Sequence, residues 1–534
     1  MRALLSKPCA ATRWRSSLVA GAALFLATHA ALAQEAKPAA PPSASTSERP
    51  EGRAASLRPS AAVSATATAE PHRLPADSTT KQTLVLPDRT LSFQATAGSI
   101  RIYDGKGDPQ ADIAYTAYQL DGADAQTRPV TFVFNGGPGS ASAWLQHGAA
   151  GPWRLAMTPE AIYPSAPPNL VANPDTWLDF TDLVFIDPVG TGYSRFVATG
   201  DDVRKRFFSV DGDVASLAVF IGRWLEQAGR MASPKYILGE SYGGIRGPRI
   251  VWNLQTRRGV GVNGLIMVSP VLDFREFQGS SLLQSVARLP TMAAVSMAAK
   301  SQAGHEVARA DLAEAERFAA TDYLLGIVKG RSDQAGLDQL GDKVADLVGL
   351  DHALVRRLGA QVTASAFRRE FQRRDAKVTS GYDGTVTGYD PFPDEYISEL
   401  QDPLSDALTA PLTSAMIELY QHRLDWKPDG HYELLNEQVN GSWDWGRGLN
   451  PPESLNDLRQ ALALDPKLKV VVAHGLFDLV TPYFGSKLEL DQVPAYGVAD
   501  RLKLVVYPGG HMFYTRDASR AALRSEAKAM IVGK

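Results

Sequence analysis

Cysteine is nearly absent from this sequence, since Cys9 is the only one among 534 residues. A single cysteine cannot form an internal disulfide, and it excludes zinc or iron–sulfur sites that are built from several cysteines. Neither sign of charge is in large excess, because 55 Lys and Arg residues face 58 Asp and Glu residues and the net charge is −3. No basic surface therefore points to nucleic acid as a partner.

The sequence also lacks the composition of a disordered, collagen-like or coiled-coil protein. Hydrophobic residues make up 44% of the chain and charged residues only 21%, which is typical of a globular protein. A chain of this length can bury a large core. No His-Glu-x-x-His motif or similar ligand set occurs, so we expect neither a metal ion nor another cofactor.

The first 33 residues have the pattern of a secretory signal peptide. Four basic residues and no acidic one precede an apolar stretch at 18–27, and Ala31 and Ala33 stand before Gln34 in a small-x-small pattern. The apolar stretch is too short to cross a bilayer comfortably. We therefore expect cleavage after Ala33, export to the periplasm or the cell exterior, and no stable association with a membrane.

Short continuous apolar runs later in the chain indicate strands that are buried on both faces of a parallel sheet. They occupy residues 130–134, 183–186, 236–238, 265–268, 469–473 and 502–506. A helical stripe from Val214 to Leu225 follows two possible N-caps, Asp211 and Asp213. Alternating patterns at 91–103 and 111–120 predict antiparallel strands before them. The fold class is therefore α/β with a mostly parallel central sheet.

These patterns divide the chain into five segments. A flexible leader rich in Ala, Pro, Ser and Thr is predicted at 34–78, after the signal peptide at 1–33. The sheet domain is predicted in two parts, at 79–273 and 456–534, because strand and helix signals alternate there. Between them, residues 274–455 are rich in Ala, Leu and charged residues, which predicts a largely helical cap insertion.

The segment 239–243, GESYG, has the G-x-S-x-G pattern of a nucleophile elbow. It directly follows a predicted strand, and helix-compatible residues come after it. Small residues at Gly239 and Gly243 suit the strained turn that exposes such a serine. An ordinary glycine-rich turn is the alternative, but the context favours Ser241 as the nucleophile of an α/β-hydrolase fold.

A catalytic serine needs a base, and the base needs an acid to orient it. In α/β-hydrolases these residues follow in the order Ser, Asp, His. Asp478 and His511 each lie just past the end of a late strand, so both can reach the sheet edge where Ser241 lies. His147 and His474 are also possible bases, but only His511 follows the acid.

Two further loops follow predicted strands. In 135–139, NGGPG, glycines let the backbone approach a ligand, and an exposed N–H can stabilise an oxyanion. The N–H of Tyr242, the residue after the nucleophile, would be the second donor. A phosphate-binding loop is excluded because no GK[ST] follows. The loop 187–193, DPVGTGY, lacks dinucleotide-binding spacing, and we expect it to line the site.

Five motifs in this order resemble the serine carboxypeptidase family over roughly residues 90–530. They are NGGPGS at 135–140, DPVGTGYS at 187–194, GESYGG at 239–244, HGLFD at 474–478 and GGHM at 509–512. The resemblance implies hydrolysis of the last peptide bond of a peptide through an acyl-enzyme on Ser241. It also implies that Asp478 is the acid, that His511 is the base, and that Gly137 and Tyr242 form the oxyanion hole.

By the same resemblance, Asn135, the backbone of Gly136 and Glu240 hold the free C-terminal carboxylate of the peptide. Two carboxylates repel each other, so Glu240 can bind one well only when a proton is shared between them. Many family members carry a second glutamate where this sequence has Ala149. Because the carboxyl pair is incomplete here, we predict a less acidic pH optimum than is usual in the family.

Two alternative functions stay open. The same fold and residues can serve a serine esterase or an acyltransferase. A catalytically inactive peptide-binding protein is the second alternative, although the intact set of catalytic residue types argues against it. We expect the pocket to be lined largely by the insertion, whose aromatic residues fit core and pocket equally well; they are Trp426, Tyr432, Trp443 and Trp445.

Overall fold

In a computed structural model of the protein, the described residues are 74–157, 162–277, 281–301, 306–395, 402–446, 451–497 and 499–533. The predicted signal peptide and residues 34–73 of the predicted leader lie outside them. The last residues of that leader belong to the fold, because Leu74 is buried and the Asp77 carboxylate accepts a hydrogen bond from the Tyr115 hydroxyl at 2.8 Å. The first strand then begins at Ser78.

The strands of the described residues fall into one large sheet and two small ones. They are β1 (Ser78–Val85), β2 (Thr90–Tyr103), β3 (Pro109–Leu120), β4 (Val130–Phe134), β5 (Trp153–Leu155), β6 (Leu170–Ala172), β7 (Asp182–Ile186), β8 (Arg195–Phe196), β9 (Lys235–Glu240), β10 (Gly264–Val268), β11 (Lys377–Thr379), β12 (Thr387–Tyr389), β13 (Lys469–Gly475) and β14 (Leu502–Tyr507). The large sheet has the order β1-β2-β3-β7-β4-β9-β10-β13-β14, and β8 pairs with β3.

This sheet is mixed and mostly parallel. Neighbours from β7 through β14 pair in parallel, whereas β1, β2 and β3 form an antiparallel end that joins the rest through β7. Every residue of β4, β7 and β10 is buried, since apolar cores cover both faces of the sheet. The predicted α/β-hydrolase fold with a mostly parallel central sheet is therefore confirmed.

The helices pack on both faces of the sheet and in the region between β10 and β13. They are α1 (Ala143–Leu145), α2 (Asp201–Phe207), α3 (Val210–Gln227), α4 (Gly243–Asn253), α5 (Leu282–Lys300), α6 (Ala313–Phe318), α7 (Leu324–Lys329), α8 (Gln334–Val348), α9 (His352–Arg357), α10 (Ala364–Glu370), α11 (Ser405–Glu418), α12 (Glu437–Gly441), α13 (Leu455–Leu464), α14 (Tyr483–Leu490) and α15 (Asp517–Val532). None of the helices in the described ranges is both long and apolar enough to span a bilayer.

Helix α3 begins one turn earlier than its apolar stripe suggested. Ser209 is its N-cap, and the Ser209 hydroxyl accepts a hydrogen bond from the Gly212 N–H at 3.2 Å. The prediction that Asp211 or Asp213 caps the helix is therefore wrong. Asp213 is instead buried in the first turn, where it forms an ion pair with Arg246 of α4.

The described part of the predicted insertion, residues 274–455, packs in two ways. Helices α5 to α10 enclose an apolar core of their own, which Phe477 and Tyr483 from the segment after β13 complete. Helix α11 instead buries Leu408 and Leu412 in the core on one face of the sheet. The insertion is therefore anchored both on the sheet and on the loop that follows β13.

Candidate active site

The carboxyl ends of β4, β9, β13 and β14 bring the predicted site residues to one edge of the sheet. These strands run in parallel, so the loops that follow them open at the same edge. A single cavity at this edge is lined by nearly all the predicted site residues: Asn135, Gly136, Gly137, Glu240, Ser241, Tyr242 and His511. Asp478 lies behind His511, outside the cavity lining.

Ser241 lies in the sharp turn between β9 and α4. Its φ angle is 60°, a left-handed conformation that a residue with a side chain adopts only when its surroundings hold it there. The Ser241 N–H donates to the carbonyl of Val268 at 2.9 Å, and the Ser241 carbonyl accepts from the N–H groups of Gly244 at 2.8 Å and Val271 at 3.0 Å. The strained turn is thus fixed by backbone hydrogen bonds to the end of β10.

This turn requires glycine at one position that differs from the prediction. A Cβ on Gly244 would lie 2.3 Å from the carbonyl oxygen of Val271, and a Cβ on Gly239 would lie 2.8 Å from the ring of Phe134. At Gly243 the nearest atom would be 3.7 Å away, which is ordinary contact. The predicted need for a small residue is therefore correct at Gly239 and wrong at Gly243.

Asp478 and His511 form a buried hydrogen-bonded pair. Nδ1 of His511 lies 2.8 Å from Oδ2 of Asp478, and Oδ1 of Asp478 accepts the N–H groups of Val480 at 2.9 Å and Thr481 at 3.0 Å. Because Nδ1 is engaged by the carboxylate, Nε2 is the ring nitrogen that can take a proton from Ser241.

The pKa of His511 is raised above its usual value. Burial alone would lower this pKa, but the charge and the hydrogen bond of Asp478 raise it, and the charges of Glu240 and Asp402 add to the rise. A raised pKa stabilises the imidazolium ion that forms when the histidine accepts a proton. The electrostatics therefore suit a general base.

Ser269 and Thr481 hold this pair in place, and neither residue was predicted. The Ser269 hydroxyl donates to the carbonyl of His511 at 2.7 Å. The Thr481 hydroxyl lies 2.6 Å from Oδ2 of Asp478 and 2.9 Å from the carbonyl of Ser269. Both residues follow the ends of strands that flank the site, and that position is the signal that could have identified them.

Gly136 brings the loop after β4 against the nucleophile turn. A Cβ at this position would lie 2.5 Å from the backbone nitrogen of Tyr242 and 2.8 Å from Cβ of Ser241. No side chain fits into this contact. The backbones of Gly137 and Tyr242 therefore lie beside Ser241, where two N–H groups can stabilise an oxyanion.

Arg246, another residue that was not predicted, holds the opposite side of this loop. Its guanidinium group donates to the carbonyls of Asn135 and Gly136, the second at 3.2 Å, and it binds the two Asp213 oxygens at 2.6 and 3.2 Å. In a trans peptide the C=O and the following N–H point in opposite directions. Fixing the Gly136 carbonyl on Arg246 therefore turns the N–H of Gly137 away from Arg246, toward the cavity.

Glu240 is a buried carboxyl group beside Ser241, and its side chain lines the cavity. Its Oε2 accepts a hydrogen bond from the Tyr514 hydroxyl at 2.8 Å, and the Asn135 side chain also bonds to the carboxyl group. Burial raises the pKa of Glu240 to about 7, although the charge of His511 and both hydrogen bonds oppose the rise. Glu240 is therefore a weak acid that carries its proton up to near-neutral pH.

The cavity walls are mostly apolar, and most of them come from the loops at the ends of the strands. The insertion contributes only Phe274, Tyr382, Ser405 and Leu435 to the cavity lining. The prediction that the insertion supplies most of the pocket is therefore wrong. The reason is that α5 to α10 pack around their own core rather than over Ser241.

The four aromatic residues that fitted core and pocket equally well are absent from the cavity lining. Trp426 and Tyr432 are buried in the core on one face of the sheet. Trp443 and Trp445 pack against the ring of Tyr242, with ring centroids 5.6 and 5.8 Å from it. These two tryptophans therefore help to fix the residue that follows the nucleophile.

Two other histidines were possible bases, and neither lines the cavity. Nε2 of His474 lies 2.9 Å from the Ser486 hydroxyl, and Nδ1 of His147 lies 3.1 Å from the carbonyl of Trp153. Burial lowers the pKa of each to about 4. Both are therefore neutral side chains of the interior at neutral pH.

The loop at 187–194 does not line the cavity, so that prediction is wrong. Asp187 accepts hydrogen bonds from the N–H and the hydroxyl of Ser142, both at 2.8 Å. Gly192 exchanges two backbone hydrogen bonds with Glu433, at 2.8 and 3.0 Å. The loop thus supports the segment after β4 from behind instead of meeting a ligand.

Comparisons with known proteins point to one family. Residues 89–280, which include the nucleophile turn, match the serine carboxypeptidase family, peptidase S10. Serine carboxypeptidase-like 17 of Arabidopsis thaliana is 25% identical over 191 residues, which are 34% of this chain and 41% of that protein. Serine carboxypeptidase-like 29 of the same plant is 31% identical over 127 residues, which are 23% of this chain and 24% of that protein.

The chain therefore spans about two fifths or less of the length of these curated relatives. A solved structure extends the likeness to most of the fold. It is that of Kex1(delta)p, a prohormone-processing carboxypeptidase from Saccharomyces cerevisiae, with a TM-score of 0.52 and 15% identity. The match covers 83% of this chain and 91% of the yeast chain.

Proposed function

The chain belongs to the serine carboxypeptidase family, and from this premise we propose that it removes the C-terminal residue of peptides by serine-type catalysis. The observation that carries the proposal is the buried acid Glu240, which lies beside Ser241 in the cavity with Asn135 bonded to it. A protonated carboxyl group can share its proton with the free carboxylate of a peptide. An ester that has no carboxylate would leave such a group unused.

In the proposed reaction, Oγ of Ser241 attacks the carbonyl carbon of the last peptide bond while Nε2 of His511 takes its proton. Asp478, hydrogen-bonded to Nδ1 at 2.8 Å, keeps the imidazole ring oriented and stabilises its positive charge. The N–H groups of Gly137 and Tyr242 bind the oxygen of the tetrahedral intermediate. The C–N bond then breaks, and His511 gives its proton to the leaving amine.

The released C-terminal residue leaves an acyl group on Ser241. Water, deprotonated by His511, attacks this ester and releases the shortened peptide, which restores the free enzyme. Before the first step, Asn135, the N–H of Gly136 and Glu240 hold the substrate carboxylate, so that only the last peptide bond reaches Ser241. We propose a peptide with a free C terminus as the partner of this site.

The test compares three substrates that differ only at the C terminus: a blocked Phe-Leu dipeptide acid, its C-terminal amide and a simple ester of the blocked phenylalanine. Apolar residues are chosen because the cavity walls are apolar. We expect kcat/KM for the amide to be about 10²-fold below that for the acid, since one or two charge-assisted hydrogen bonds are lost. Steady-state kinetics at pH 6.5 measure this ratio.

The pH profile should differ among these substrates in a defined way. For the acid we expect a bell near neutral pH, because His511 must be neutral and Glu240, with its pKa of about 7, must be protonated. For the amide and the ester only the acid limb should appear. Glu240→Gln offers an NH₂ donor at every pH and should abolish the alkaline limb for the acid. A maximum near pH 4–5 would contradict the expectation, and equal rates with acid and amide would support an esterase, an acyltransferase or a broad peptidase.

We further propose that the protein is an exported, bacterial-type member of this family. The support is the pattern of residues 1–33, with a basic start, an apolar stretch and a small-x-small site that ends at Ala33. Sequencing the N terminus of the protein from the periplasmic or culture fraction of its host should give Gln34 as the first residue. A chain that keeps Met1 and stays in the cytoplasmic fraction would refute export.

A further inference from the structure

The direct contact between Glu240 and Tyr514 has no counterpart among the motifs that define the site. The Tyr514 hydroxyl donates to Oε2 of Glu240 at 2.8 Å. Tyr514 is completely buried, in the single turn Phe513–Thr515 just after His511. Burial and the nearby Glu240 raise the pKa of Tyr514 far above its usual value. The phenol therefore keeps its proton and acts as a donor at every pH at which the protein is folded.

The ring of Tyr514 lies against the segment where the family resemblance places a second glutamate. A Cβ on Gly148 would lie only 2.4 Å from Cε2 of this ring. The next residue is Ala149, which has no polar side-chain atom, and both belong to the π-helical turn Gln146–Ala150. Gly148 thus makes room for a phenol beside the position that lacks the carboxyl group.

We propose that Tyr514 is the positioning residue for Glu240 and takes the place of the missing second carboxyl group. A protonated carboxyl group has one oxygen that accepts and one that carries the proton. By donating to Oε2, Tyr514 makes that oxygen the acceptor and leaves the proton on Oε1, where it is available to the substrate carboxylate. This inference rests on the proposed function, because it assumes that Glu240 meets such a carboxylate.

Other ionisable groups act on Glu240 from three different loops. His511 lowers the pKa of Glu240 through its charge, and Asp478 raises it. Tyr382 of the insertion is also near, but burial raises its pKa to about 12, so it stays neutral. Tyr514 differs from these residues because it bonds directly to the carboxyl group. Its removal should therefore change both the position of the proton and the pKa of Glu240.

Tyr514→Phe removes the hydroxyl and keeps the ring. For the blocked dipeptide acid at pH 6 we expect KM to rise about threefold to tenfold with kcat nearly unchanged, since the proton of Glu240 is no longer confined to one oxygen. The alkaline limb should move to higher pH, because the ionised carboxylate loses a donor and its pKa rises. The profile for the simple ester, which does not meet Glu240, should stay as in the wild type.

Tyr507→Phe is the matched control. It removes a hydroxyl from a tyrosine whose ring packs on Phe513 at 5.2 Å, and its kinetics should match those of the wild type. An unchanged KM and alkaline limb in Tyr514→Phe would overturn the inference, as would an equal shift of the limb with the ester. Failure of the proposed function would look different, since the wild type itself would then fail to distinguish acid from amide.

A second variant keeps the inference testable if Tyr514→Phe does not fold. In Glu240→Gln the amide oxygen should be held by the Tyr514 hydroxyl, so that the NH₂ group faces the cavity. We expect this variant to bind the dipeptide acid with a KM that is independent of pH between about 6 and 9, within the range where the carboxyl group would titrate. A Glu240→Gln protein whose KM still rises across this range would overturn the inference.

Discussion

Replacing Ser241 by alanine lowers kcat for a blocked dipeptide by about 10⁶-fold and leaves the protein folded. The loss is large because the oxygen that forms the acyl-enzyme is gone, while the oxyanion donors still contribute a small residual rate. The fold is retained because the backbone of Ser241, and not its hydroxyl, makes the hydrogen bonds that fix the turn at φ 60°. Turnover measured with a large excess of substrate, together with a thermal melt, checks both parts.

Non-additivity is the control for this prediction. His511→Ala should cost about as much as Ser241→Ala, and the double variant should lose little more, because the two side chains act as one unit. Asp478→Asn should lower kcat by about 10⁴-fold, because the imidazole is then held in the wrong tautomer. Losses that multiply in the double variant would mean that Ser241 and His511 do not work together.

The same residues separate the enzyme from an inactive peptide-binding protein. A phosphonate reagent reacts with a serine only when a neighbouring base removes the proton of its hydroxyl. Mass spectrometry of the treated wild type should show one phosphonylated peptide, which contains Ser241. An unlabelled Ser241 in a folded sample would favour the inactive alternative.

The strands around the site could be predicted because they are buried on both faces. Continuous apolar runs occur where no residue of a strand meets water, and β4, for example, was predicted with the bounds that the structure has. The positions of Asp478 and His511 followed from a second rule, that loops after parallel strands gather at one edge. Their hydrogen bond joins residues 33 positions apart, yet both are marked by a preceding strand.

The residues that were missed are those whose partners are defined only by packing. Tyr514 meets Glu240 across 274 positions of the chain, and Arg246 meets the carbonyl of Asn135 across 111. No strand end, periodicity or turn signal connects such pairs. The loop at 187–194 was misjudged for a similar reason, because a glycine-rich loop after a strand can either meet a ligand or support its neighbour.

Replacing Asp213 by alanine should destabilise the protein by about 3–5 kcal/mol, because it leaves the guanidinium group of Arg246 buried without its counter-charge. Both side chains are almost fully buried, with exposed fractions of 4% for Asp213 and 1% for Arg246. Burial raises the pKa of Asp213 in spite of the opposing charge of Arg246, so removing these charges from water costs free energy. Chemical denaturation of the variant and the wild type measures the difference.

Helix α3 supplies a matched control two residues earlier. Asp211 also pairs with an arginine of α4, Arg249, at 3.2 Å, but Asp211 is 96% exposed. Asp211→Ala should therefore change the free energy of unfolding by less than about 1 kcal/mol. Equal losses in the two variants would show that burial of the pair is not the cause.

The double variant Asp213→Leu with Arg246→Met separates stability from catalysis. Replacing a buried ion pair by apolar residues of similar size is often neutral, so we expect most of the stability to return. Activity should stay low, because the carbonyls of Asn135 and Gly136 lose the donor that turns the N–H of Gly137 toward Ser241. Hydrolysis of the simple ester, which depends on the oxyanion donors and not on Glu240, measures this loss. Full recovery of both properties would mean that the ion pair has no part in shaping the oxyanion hole.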